Sequence, residues 1–334
     1  MPFKIVRNDI TKMEVDAIVN PTNEYMYGTA GVDDTIHQKE GPWLRETTRQ
    51  MNGLLPGEVK VTEARNLPCK YIFHTFGPIW RGGDEGEENI LRNCYVNALN
   101  LALKKGIKSI AFPLIASGTF DYPKDRALGT ATAAIGRFLL SHDLEIYLVV
   151  YDKKSFVLSE KLYQKVNAYI DDHYVRDHNR YINRKNSEKL TFQDEYVLDQ
   201  SERVVYKEEA PKRSIEHIVK NLGESFSEVL IRIIDEKGLT DPEVYKKANV
   251  SKQTFWKILN KENYQPQKST IVALVIALEL NLDESKDLLK KSGYAFSNNN
   301  LFDVIVSYFI ENQNYNIFEI NDVLFEFEVK LLGL

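Results

Sequence analysis

Only two cysteines, Cys69 and Cys94, occur in 334 residues, too few for a disulfide framework or a zinc cluster. Both are expected to be free thiols, buried or half-buried, in a reducing cytoplasm. No stretch approaches the roughly 20 apolar residues that cross a bilayer. A strand-like segment begins at Lys4, so no signal peptide is expected. The net charge is only −5, which argues against non-specific coating of nucleic acid but leaves room for a local basic face. No His/Cys/Asp cluster has metal-ligand spacing, so neither a metal nor a cofactor is expected. Internal repeats and low-complexity segments are also lacking.

What is present is ordinary in bulk: 43% apolar and 27% charged residues, the balance of a globular protein, in a chain longer than a typical single domain. From residue 3 to about 172, strand-like and helix-like segments alternate, the pattern of an α/β unit. Strands are expected at Lys4–Val6, Ala17–Val19, Lys70–His74, Ser109–Phe112 and Glu145–Val150. Helices are expected at Asn89–Lys105, where Leu91, Tyr95, Ala98, Leu99 and Ala102 recur at helical spacing, and at Ala127–Leu140 and Ser155–Tyr169. The polar run that follows reads as a linker with local structure. These shifts divide the chain into 1–174, 175–213 and 214–334.

Beyond the linker the pattern is helical. Phe226, Val229, Leu230, Ile233 and Ile234 form one apolar stripe, stopped by Gly238. Thr240 is placed to cap Asp241–Ala248 and Ser251 to cap Lys252–Asn260. Ser269 or Thr270 opens Ile271–Leu280, and Asp283–Ser292 follows. The aromatic, acidic tail from Asn298 is expected to pack on these helices.

Two short stretches carry the chemistry. Asn20-Pro21-Thr22-Asn23 with Gly28-Thr29-Ala30-Gly31-Val32-Asp33 follows one strand, and Ile115-Ala116-Ser117-Gly118-Thr119-Phe120 follows another. Small-residue loops at strand ends leave backbone N–H groups uncovered for phosphate oxygens. Two in one domain describe a clamp for a diphosphate.

At these residues the sequence resembles a macro domain, the ADP-ribose-binding module, over roughly its first half. The arrangement Asn23-x6-Ala30-Gly31-Val32-Asp33 is similar to the signature of the branch that hydrolyses ADP-ribose from proteins. The resemblance implies a mixed central sheet in a three-layer α/β/α fold, and ADP-ribose as ligand. It implies that Asp9, with Ile10 beside it, accepts a hydrogen bond from the adenine amino group, although a turn or cap aspartate would look the same. By the same resemblance Asn23 holds the distal ribose and Asp33 positions or activates water, unless Asp33 merely caps a helix from Asp34. Gly31, Val32, Ser117, Gly118 and Thr119 would meet the diphosphate, Phe120 would cover the distal ribose, and Tyr151 would stack on adenine or else be core. Asn20, His37 and His74 read as structural.

The sequence departs from the family at Thr29 and Ala30, at Asn8, and at Asp121, whose carboxylate would sit near the distal ribose or diphosphate as a modulator. The implied activity is metal-independent mono-ADP-ribosyl hydrolysis. The alternative is a non-catalytic sensor of ADP-ribose or a related nucleotide signal.

Residues 225–295 resemble a phage-repressor helix-turn-helix, an all-α module. Its second helix would expose Lys252, Gln253 and Lys257 to DNA or to a protein partner. From Lys246 to Lys268 there are six lysines against one acid, Glu262, yet Glu224–Gly293 carries 11 basic and 11 acidic residues. That neutrality favours self-association or a protein partner over DNA. An adaptor of that kind should expose Phe255 or Trp256 within an apolar patch.

Overall fold

The computed structural model describes residues 3–28, 30–151, 156–173, 224–261 and 264–333. Its N-terminal half is built on six strands: β1 (Phe3–Arg7), β2 (Ala17–Thr22), β3 (Val59–Glu63), β4 (Tyr71–Phe76), β5 (Ser109–Pro113) and β6 (Glu145–Val150). They form one sheet in the order β1-β6-β5-β2-β4-β3. All neighbours are parallel except β3, which runs antiparallel to β4.

The inner strands are apolar on both faces, and successive side chains face opposite ways. Ala17 and Val19 of β2, Ile110 and Phe112 of β5, and Leu148 and Val150 of β6 join one apolar cluster. The residues between them, Ile18, Ala111 and Val149, join a second. Helices α3 (Glu87–Lys105) and α4 (Lys124–Leu139) cover the first face, and α1 (Gly31–Glu40) and α2 (Pro42–Arg49) the second. The result is a three-layer α/β/α unit with a mixed sheet, as the macro-domain resemblance implied.

Two elements were not anticipated. Strand β3 buries only Thr62, so it lacks the apolar run that marks an inner strand. Helix α2 is announced only by Gly41 and by Pro42 at its first position. Helix α5 occupies 160–173, starting later than the expected Ser155. The segment read as a linker, 175–213, lies outside the described residues.

The C-terminal half is helical: α6 (Phe226–Glu236), α7 (Asp241–Lys247), α8 (Lys252–Asn260), α9 (Lys268–Ala277), α10 (Leu282–Lys291), α11 (Leu301–Glu311) and α12 (Ile317–Glu326). Gly238 ends the first of them in the left-handed region, at φ 64°. Ser251 caps α8 through the backbone N–H of Thr254. Helix α9 is buried from Ser269 to Ala277 and begins at Lys268, so Ser269 and Thr270 lie inside its first turn instead of capping it, and Gln267 holds the capping position.

The aromatic tail packs on this helical unit and also on the N-terminal half. Phe318 of α12 lies against Gly136 of α4, where a Cβ would come within 2.6 Å of the ring. Tyr308 of α11 meets Tyr169 of α5 edge-on at 5.2 Å. In the turn between α7 and α8, the Asn249 amide accepts from the Phe3 backbone N–H at 2.7 Å and donates to the Phe3 carbonyl at 2.9 Å. That turn, at φ 52° for Asn249, therefore grips edge strand β1.

Candidate functional site

Parallel strands leave their C-terminal ends at one edge of the sheet, where ligands bind in open α/β folds. Two adjoining hollows lie there. One, of about 430 Å³, is lined by Asn8, Asp9, Ile10, Thr11, Thr35 and Tyr151 among others. The second, of about 300 Å³, is lined by Asn23, Ala30, Asp33, Lys124 and the loop Ala116–Phe120 among others. Gly31, Val32, Pro113, Val149 and Tyr151 border both, which makes them one cleft. Every expected ligand residue, from Asp9 and Ile10 through Asn23, Gly31, Val32 and Asp33 to Ser117–Phe120 and Tyr151, lines it.

The cleft floor is shaped for an anion. Helix α1 starts at Gly31 with Ala30 in the capping position, and Ala30 offers no side-chain acceptor. Helix α4 starts at Lys124 behind Pro123, again without a side-chain cap. The first N–H groups of a helix lack internal partners and carry the positive end of its dipole. Lys124 adds a cation beside them.

Behind the first loop lies a buried brace. Asp33, only 3% exposed, accepts from the Asn20 amide at 2.7 Å through Oδ1, and from the Thr22 hydroxyl at 2.7 Å and the Gly28 N–H at 3.1 Å through Oδ2. Gly28 itself has φ 68°, and a Cβ there would strike the ring of His37 at 2.6 Å. The same Asn20 amide lies 3.1 Å from His74 Nδ1, and His74 Nε2 lies 2.9 Å from the Thr62 hydroxyl. Burial pushes the His74 pKa down to about 3, so the ring is neutral. Its Nδ1 accepts from the amide and its Nε2–H donates to Thr62. His37 is buried, 3.5 Å from Asp33 Oδ1, and burial lowers its pKa too. Asn20, His37 and His74 are thus structural, as expected. Asp33 belongs to the first turn of α1 and is not its cap.

At the other end, Asp9 does cap a short 3-10 turn, Ile10–Lys12, and lines the hollow as well. Its Oδ1 accepts from the Thr11 N–H at 2.9 Å and from the Thr11 hydroxyl, while Oδ2 lies 3.2 Å from Lys39 Nζ. Partial burial opposes its ionisation, but these Thr11 and Lys39 contacts outweigh it and hold its pKa below the ordinary aspartate value. Tyr151 is 74% exposed, which removes core packing as an account of it. Asn23 accepts from the Tyr25 N–H at 2.9 Å.

The expected modulator, Asp121, does not border the cleft. It is exposed in the left-handed region at φ 51°, and its N–H closes a turn to the Gly118 carbonyl at 3.0 Å. Thr29 lies outside the described residues. Burial raises both thiols, Cys69 to about 12 and Cys94 to about 11, so neither is a ready nucleophile. On α8, Lys252, Gln253, Trp256 and Lys257 are exposed and Phe255 is buried. Trp256 therefore stands among polar and basic neighbours on its helix face. Sequence reasoning missed Asn8 as a lining residue, together with Thr11, Thr35 and Lys124; only their closeness in sequence to named residues could have flagged them.

The Macro domain family model matches residues 19–131. A macro domain-containing protein of Methanosarcina mazei is 43% identical over 166 residues, covering 49% of this chain and 89% of that protein. The chain belongs to the macro-domain family. Proteins named O-acetyl-ADP-ribose deacetylase from Citrobacter koseri and Escherichia coli are 42% and 39% identical over 164 residues, each match covering 47% of this chain and 93% of the other. A solved Oceanobacillus iheyensis macrodomain with ADP is 38% identical, covering 45% of this chain and 84% of that one, with a TM-score of 0.44. These likenesses concern the N-terminal, macro-domain half. Among the described residues, no helix is long and apolar enough to cross a membrane.

Proposed function

We propose that the cleft binds ADP-ribose and that the protein hydrolyses a derivative of it carrying an ester or a protein on the distal ribose. The observation that carries this reading is the uncapped start of α1 at Ala30–Gly31, which borders one cleft together with Lys124 at the start of α4 and the exposed Gly118 and Thr119. Similarity to deacetylases of O-acetyl-ADP-ribose supports the reaction class. In this reading Tyr151 stacks on adenine, Asp9 accepts its amino group, and the helix starts with Lys124 take the diphosphate. Phe120 and Asn23 hold the distal ribose. Water then forms the new bond at the carbon of the scissile C–O bond, that bond breaks, and the proton passes to the departing oxygen. Specificity for mono-ADP-ribosylated protein is the finer form of this proposal.

A sensor without turnover is the second reading, favoured by one observation: both oxygens of Asp33 are engaged inside the protein. Incubation of the full chain with O-acetyl-ADP-ribose and with a mono-ADP-ribosylated protein, followed by mass spectrometry, separates the two. Release of acetate or of ADP-ribose is expected. Tight ADP-ribose binding with no release from either substrate would leave only the sensor.

For the C-terminal half we propose a repressor-like helix-turn-helix, with 175–213 as the linker, acting in self-association or partner binding through α8. The exposed Trp256 supports an interface, while Lys252 and Lys257 beside it keep DNA as the competing partner. Light scattering and DNA titration across salt concentrations distinguish them, since phosphate contacts make affinity fall steeply with salt.

A further inference from the structure

We propose that the C-terminal helical unit is a working part of the nucleotide cleft, and that Phe325 of α12 positions its base end. Two strand ends build that end. Strand β1 runs on into Asn8 and Asp9, and β6 runs on into Tyr151, facing Gly31, Val32 and Thr35 of α1 across the hollow. The Asn8 N–H donates to the Val150 carbonyl at 3.1 Å, tying one end to the other. A single ring then meets the last residue of β1 and a residue that follows β6 in the chain. The guanidinium carbon of Arg7, last residue of β1, lies 5.5 Å from the centroid of Phe325. Phe156, beyond the end of β6, lies 4.8 Å from the same ring, tilted by 57°. Arg7 is also paired with Glu328 at 3.3 Å.

None of Arg7, Phe156 and Phe325 borders the cleft, so Phe325 acts through its neighbours and is a positioning residue. A stacked base needs Tyr151 held at a fixed spacing from Asp9. The exposed Tyr151 ring has little else to fix it. With the Phe325 ring removed, Arg7 would keep its pair with Glu328 and Asp9 its contact with Lys39, but the ring that Arg7 and Phe156 share would be gone and more of the ordering would fall to the ligand. Binding and docking are then reciprocal: a nucleotide that prefers the ordered ends strengthens the hold of the helical unit by the same factor.

The inference rests on the ADP-ribose reading of the cleft, and the experiment keeps the two apart. Calorimetry with AMP and with ADP-ribose is run on the full chain, its Phe325→Ala and Phe325→Tyr variants, and Glu328→Gln. Phe325→Ala should weaken both ligands by about three- to tenfold, the effect of losing one cation–π and one aromatic contact. KM should rise by the same factor with kcat unchanged, and Phe325→Tyr, which keeps the ring, should restore affinity. Glu328→Gln should weaken binding by about twofold, as a half-exposed ion pair contributes little. Wild-type affinity in a folded Phe325→Ala protein overturns the inference. Should that variant not fold, Arg7→Met carries the same test, and wild-type affinity there overturns it equally. No binding of either nucleotide by the unaltered chain would instead remove the ADP-ribose reading, and this inference with it.

Discussion

The two halves of the molecule start their helices differently. In the C-terminal half, Ser225, Ser251, Asn281, Asn300 and Asn316 each hand a side-chain oxygen to the first turn of a helix. In the macro-domain half, α1 to α4 begin at Ala30, Gly41, Gly86 and Pro123, none of which supplies such an oxygen. A missing cap costs a helix about 1 kcal/mol, so its absence at a cleft calls for a reason. The first turn of α1, Gly31 to Asp33, borders the cleft, and so does Lys124 at the start of α4, where a phosphate could take the place of the absent side chain. Five helix starts of the C-terminal half are satisfied by a side chain of their own, whereas the starts of α1 to α4 are not.

The largest way to break this contrast is at the brace that aims the first loop. Asp33→Ala strands three buried donors, each costing about 1–3 kcal/mol, so a loss of roughly 3 kcal/mol of stability is expected together with loss of ADP-ribose binding. Urea unfolding and calorimetry measure both. If stability and binding stay intact and only turnover stops, Asp33 is the water-activating base and not a brace.

A sharper test fills the vacant cap. Ala30→Asp should stabilise the protein by about 1 kcal/mol and weaken ADP-ribose binding by roughly 1.5–3 kcal/mol, because the carboxylate takes the N–H groups and repels the diphosphate. More stable protein with unchanged affinity would show that this helix start is not the anion site.

Two buried groups, one in each half, should respond oppositely to pH. Neutral, buried His74 has its pKa lowered from 6.5 to about 3, so the unfolded chain takes up a proton that the folded one refuses. Its contribution to stability is full above pH 6.5 and falls by up to about 1.4 kcal/mol per pH unit as pH drops through that interval. In α12, burial chiefly, with Glu319 nearby, raises the Asp322 pKa well above 3.8. That group favours the fold below pH 3.8 and penalises it as pH rises through the raised value. Denaturation series across pH should therefore show His74→Gln flattening the acid limb, and Asp322→Asn adding stability at neutral pH but none below pH 3.8.

The smallest effect belongs to the capped half. Asn281 accepts from the N–H groups of Asp283 and Glu284. Asn281→Ala should cost about 1 kcal/mol and leave nucleotide affinity unchanged.

How much of this was legible beforehand follows from how local each signal is. The inner strands, α3, α4 and the two loops announced themselves through apolar runs, helical spacing and small residues. Strand β3 did not, because an edge strand with one buried side chain has no pattern to read. The lining role of Asp9, Asn23 and Tyr151 was implied by the family resemblance, whereas the exposure of Tyr151 has no local signal in the sequence. The engagement of Asp33 could not be read at all, since its partners come from β2 and the loop after it, and the brace continues through β4 to Thr62 on β3. The expectation that the aromatic tail packs on its own helical unit captured half of the outcome. Nothing near Phe318 in the sequence points to its seat at Gly136.

The Asn249 amide on β1 has a practical consequence for handling the protein. A sheet edge with free N–H and C=O groups is a template for pairing with another chain, and this amide occupies both groups of Phe3. Expression of residues 1–173 alone would bare that edge together with the apolar surface of α4 that seats Phe318. Such a fragment should form strand-paired aggregates, visible by light scattering, under conditions where the full chain stays dispersed.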